Sequence, residues 1–127
     1  MQPVGVVIRK SSYSVTESID LLQRFLIRNG ATIYTRIDQQ KEVKKVGQSL
    51  PPLQFILFGN PKSGGPLMSE NPLIALDLPL KVIAWEDKNR NVWLAYNEGS
   101  YVEKRYSFRS YLNSPLSLDK MMENIFG

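Results

Sequence analysis

Three short runs constrain the fold more than any other feature of this chain: residues 53–58 (LQFILF), 80–85 (LKVIAW) and 91–96 (NVWLAY). Each is rich in β-branched and aromatic residues, and each is apolar at successive positions, so a strand built from it has two apolar faces. A sheet with helices on one side only would alternate apolar and polar residues. Something must therefore cover the second face. One set of residues, Ile56, Phe58, Val82, Ala84, Trp93 and Ala95, is expected on one side. The other, Phe55, Leu57, Ile83, Trp85, Leu94 and Tyr96, is expected on the opposite side, and the pattern leaves open which packs under helices. Either the irregular segment 99–115 folds over the bare side, or a second copy of the chain covers it through a two-fold contact; the second is the expected answer.

The rest of the chain supplies the helices. Residues 4–10 read as a first strand. Ser14-Val15-Thr16-Glu17 has the spacing of a capping box, and Val15, Ile19, Leu22 and Leu26 recur on one helical face until Asn29-Gly30 ends it. Residues 31–37 (ATIYTRI) alternate as a half-buried strand. Asp38 then stands at the N-cap of a short helix carrying Val43, Val46 and Leu50, which stops before Pro51-Pro52. Residues 66–76 predict irregular helical turns with Pro72 in a first turn. Residues 86–91 (EDKNRN) form a polar turn, which makes the last two strands a hairpin. Residues 97–110 are poorly patterned, and Ser117 is the expected cap of a final helix with Leu118, Met121, Met122, Ile125 and Phe126 on its apolar side. The expectation is one α+β domain over 1–127: a mainly antiparallel sheet of about five strands, helices packed on one face, in the order β-α-β-α-β-β-β-α.

Composition removes several chemistries. The 127 residues include no cysteine and no histidine, which excludes disulfides, thiol nucleophiles and imidazole bases, and no metal site or cofactor is expected. No signal peptide or run of membrane-spanning length is visible, so a cytoplasmic protein without a membrane partner is expected. The net charge of +4 is spread along the chain, and Glu42 interrupts its densest cluster, Lys41 to Lys45. That argues against a nucleic-acid partner. Tyr101, Tyr106, Phe108 and Tyr111 interleave with Lys104, Arg105 and Arg109, which reads as a snorkelling surface segment.

The stretch FGNPKSGGPLM, residues 58–68, is the candidate site. Gly59 and Gly64 have the separation that begins a phosphate-binding loop, but Gly65-Pro66 stands where Lys and Ser/Thr must be. A looser nest for a small anionic ligand is the remaining functional reading, built on Gly59, Asn60, Lys62, Ser63 and Gly64. The competing reading is a turn in which Gly59 or Gly64 takes positive φ. Asp77, between leucines before Pro79, either faces a pocket or ties down backbone amides. An enzyme would need at least two of Asp77, Asp38 and Lys62 to converge on one cleft.

Residues 36–97 resemble the family known as domain of unknown function 302. The likeness rests on Asp38 opening a short helix, Val46-Gly47 with Leu50, then FGNPKSGGPLM and LDLPLKVIAWED. It implies a small α+β domain with an antiparallel sheet, makes a homodimer plausible, and brings no established activity. Members of that family often carry Asp-His where this chain has Asp38-Gln39, and Gln39 cannot serve a metal or transfer a proton as a histidine would. The functional expectation is a homodimeric interaction or small-ligand-binding module, the alternative being an enzyme with a carboxylate and lysine pocket beside residues 59–65.

Overall fold

The computed structural model describes residues 2–109 and 114–127; Tyr111 and the rest of 110–113 lie outside them. Five strands form one antiparallel sheet: β1 (Val6–Ser11), β2 (Thr32–Asp38), β3 (Leu53–Gly59), β4 (Leu80–Glu86) and β5 (Val92–Asn97), in the order β1-β5-β4-β3-β2. The chain returns β5 beside β1, so both outer strands come from the first third of the sequence.

Helix α1 (Val15–Arg28) begins as its sequence predicts, with the Glu17 amide donating to Ser14 Oγ at 3.0 Å. Gly30 closes it at φ +80°, a left-handed backbone conformation that residues with a Cβ rarely adopt. Val15, Ile19, Leu22 and Leu26 are buried and pack on Ile56, Phe58, Val82, Ala84, Leu94 and Tyr96. Helix α5 (Asp119–Phe126) adds Met122 to that core, with Met121, Ile125 and Phe126 against it. The helices therefore share one face of the sheet. A second, smaller cluster joins Ile74, Val102, Tyr106, Phe108 and Leu116, and Leu80 packs against both clusters.

The hairpin register corrects the predicted faces. Val82 pairs with Tyr96, Ala84 with Leu94 and Trp85 with Trp93. Residues opposite each other in a ladder point to the same side. Leu94 and Tyr96 thus join the core side, and Trp93 and Ala95 go to the other. The turn length, which the apolar pattern does not encode, decides this.

Four further expectations are revised. Residues that looked like a glycine loop form helix α3 (Pro61–Glu70), followed by a 3₁₀ turn at Pro72–Leu76. Neither Gly59 nor Gly64 has positive φ; the glycines that do are Gly5, Gly30, Gly47 and Gly127. Residues 97–110 contain helix α4 (Gly99–Arg105), which lies close to residues 116 and 117: a Cβ on Gly99 would stand 2.9 Å from Ser117 Cα. Helix α5 is preceded by Leu118 with no side-chain cap, so Ser117 does not cap it.

Candidate functional site

The predicted site residues separate into three places. Asp38 caps helix α2 (Gln39–Lys44), accepting the Lys41 amide at 3.0 Å. It pairs with Gln54 at one end of β3, whereas Gly59 pairs with Thr32 at the other. Five residues of strand separate those ends, about 17 Å. Asp77 is held by α4: its carboxylate accepts from the Tyr106 hydroxyl, and from Arg105 at 3.1 Å. Its partners are thus side chains, not the backbone amides that the sequence suggested. Donation to Asp77 is the largest cause that raises the Tyr106 phenol above its ordinary pKa. Tyr106 and Phe108 are buried in the second cluster, whereas Tyr101, Lys104, Arg105 and Arg109 are exposed, so the described part of this aromatic-basic segment is core on one side and surface on the other.

Lys62 is exposed at the start of α3. Asp38, Asp77 and Lys62 do not form a common cleft, and the geometry lends no support to the enzyme alternative. Among the described residues no group of carboxylates is arranged to hold a metal ion.

The start of α3 is occupied by its own chain. Pro61 has no amide, and the Lys62 amide donates to Asn60 Oδ1 at 3.0 Å. The Ser63 and Gly64 amides reach the Asn60 carbonyl at 2.9 and 2.8 Å. No first-turn donor is left over for an anion nest. Gly59, Asn60, Ser63 and Gly64 instead form the polar edge of a pocket of ≈ 240 Å³, whose other walls include Leu26, Phe58, Leu67, Leu116 and Met121.

A polar network that the sequence did not announce ties α1 to the sheet. Arg36 donates to Asp20 at 2.6 Å and to Gln54 Oε1 at 3.0 Å, while Gln54 donates to Thr16 Oγ1 at 2.9 Å. Gln54 is buried, and these bonds satisfy its amide. The one available signal was a glutamine inside an otherwise apolar strand.

The other side of the sheet carries Leu53, Phe55 and Leu57 from β3, Ile83 and Trp85 from β4, and Trp93 and Ala95 from β5. None belongs to either core cluster, and all except Ala95 keep partial exposure. Trp85 and Trp93 are direct cross-strand partners. Lys81 places its Nζ 4.6 Å from the centre of the Phe55 ring on this side. At its border, Trp93 Nε1 donates to Asp87 Oδ2 at 2.8 Å. That bond, followed by the Asn91 amide, lowers the Asp87 pKa below the ordinary carboxylate value.

A single antiparallel sheet with α1 and α5 packed on one side and a partly exposed aromatic face on the other defines a two-layer α+β domain. The model of the family described as "Domain of unknown function DUF302" matches residues 7–125, and the chain belongs to that family. A crystal structure of an uncharacterized conserved DUF302 protein from Bacillus stearothermophilus has the same fold. Its TM-score is 0.72 at 16% sequence identity, over 83% of this chain and 82% of that one. Two longer relatives are "Fluoride-specific ion channel FluC 1" of Brucella suis biovar 1 (strain 1330) and of Brucella abortus biovar 1 (strain 9-941). Each is 36% identical over 118 residues, which is 93% of this chain but 46% and 43% of those proteins. The chain thus spans less than half the length of these relatives.

Proposed function

We propose that this domain is an interaction module that works as a homodimer, its two copies packed through the bare faces of their sheets. The observation that carries the reading is the partly exposed apolar face of Leu53, Phe55, Leu57, Ile83, Trp85 and Trp93, flanked by Leu50, Pro51 and Pro52 at one end. The whole five-stranded face, with its apolar centre on β3 to β5 and its margins on β1 and β2, presents about 500 Å² per copy from strands about 4.8 Å apart and roughly 20 Å long. Two such faces, margins included, reach the roughly 1,000 Å² a specific interface needs. The paired tryptophans Trp85 and Trp93, at the hairpin end of this face, fit the aromatic enrichment of interfaces.

The longer relatives are compatible with this reading. No helix among the described residues is long and apolar enough to cross a membrane. In proteins named as fluoride channels, the half that resembles this chain then fits an accessory, partner-contacting role better than a conducting one.

The test is the mass in solution. Light scattering should give twice 14.5 kDa for the natural chain. Trp85→Lys should give a folded monomer, because Trp85 lies outside both core clusters. A natural chain that stays at 14.5 kDa at high concentration ends the proposal.

A further inference from the structure

We infer that the pocket between α3 and α5 binds a small apolar molecule with a hydrogen-bond acceptor at one end. It lies on the helix side of the sheet, so it stands apart from the dimer face. Its size sets the scale of the ligand. A cavity of about 150 Å³ lined by Leu, Ile and Phe takes benzene, so ≈ 240 Å³ holds about ten non-hydrogen atoms: one ring with a short substituent, or a chain of about eight carbons.

Its position gives the ligand something to do. The apolar interior is divided into two clusters that meet at Leu80. The pocket takes Leu26, Phe58 and Leu118 from one, Leu116 and Leu67 from the other, and Leu80 from both. An apolar guest adds to the junction that the Leu80 side chain makes between the two clusters.

The polar edge sets the polarity of the head. Asn60 Oδ1 is occupied by the Lys62 amide, which leaves its NH₂ group as the free end. The Ser63 and Ser117 side chains have no hydrogen-bond partner among the described residues. The group in the pocket that cannot accept is therefore an amide donor, with two hydroxyls able to donate beside it. A carbonyl or carboxylate oxygen matches that set, and an apolar wall lies behind it.

Octanoate is the probe. Titrated into the full chain and followed by amide NMR, it should give saturable shifts at Ser63, Gly64, Leu67, Leu116 and Met121 and a higher Tm. Acetate, which has the head without the tail, should do neither. Ala31→Phe grows a side chain into the pocket and should abolish the shifts while leaving the sheet resonances in place. Ser63→Ala with Ser117→Ala should weaken octanoate about tenfold and keep the fold. Three results would overturn the inference: no saturable shift up to the solubility limit, an equal response to acetate, or octanoate binding by Ala31→Phe as tight as by the natural chain. Shifts confined to Trp85 and Trp93 would also overturn it, and would place the ligand on the sheet face instead.

Discussion

Gly64 and Gly99 sit in similar glycine- and serine-rich stretches, yet the structure asks opposite things of them. A Cβ on Gly64 would lie 3.8 Å from Leu78 Cδ1 and Met68 Cε, ordinary contact inside a helix. Gly64→Ala should therefore stabilise the protein by roughly 0.5–1 kcal/mol through helix propensity, measured by urea unfolding. At Gly99 the added carbon meets backbone, Ser117 Cα and N at 2.9 Å, which cannot rotate aside. Gly99→Ala should cost about 1–3 kcal/mol. A loss on Gly64→Ala of the size expected for a positive-φ glycine would contradict the helix. Asp87 makes the second residue-scale prediction. Its pKa is lowered in the fold by donation from Trp93, so its contribution is full above the unfolded value of 3.8 and is lost as pH falls through the lower folded value. The Trp93 indole proton resonance should titrate with a midpoint below 3.8. A midpoint at or above that value would remove the bond.

At the scale of elements, what could be read in the chain divides along physical lines. Helix α1 was legible because its cap, its apolar stripe and its glycine stop agree, and the strands were legible from their β-branched and aromatic runs. Helix α3 was not. Gly64, Gly65 and Pro66 each disfavour a helix interior, and tertiary position outweighs that propensity here. One local signal had been available: Asn60 before Pro61 is a cap followed by a first-turn proline. Asn60→Ala should destabilise by about 1 kcal/mol, because the Lys62 amide loses its acceptor. Hydrogen exchange should report the loss first in α3, and a loss spread evenly over all helices would argue against a local cap. Helix α4 escaped notice for a different reason. It is held by Asp77 through Arg105 and Tyr106, from 28 and 29 positions earlier in the chain. The same distance hid the role of Asp77, whose partners no local pattern contains.

For the whole molecule, the doubly apolar strands were the informative feature, and the turn between β4 and β5 decided which tryptophan faces where. Once Trp93 joins Trp85 on the bare side, the aromatic surface becomes continuous from β3 to β5. Association could instead use the sheet edges, but both are poorly suited. The β2–β3 pairing is irregular between Ile33 and Thr35, which disturbs the ladder at one edge, and β1 carries Arg9 and Lys10 at the other. A face contact leads to a mass-action consequence that an edge-independent monomer would not show. Because a partner that binds only the folded chain stabilises it, Tm should rise with protein concentration. Trp85→Lys should abolish that dependence and leave the Tm near the dilute limit of the natural chain, since the residue supports no core cluster. Calorimetry over a hundredfold range of concentration separates the cases. A Tm that climbs equally in both proteins would move the contact off the sheet face, and one that is flat in both would leave the aromatic surface without a partner copy.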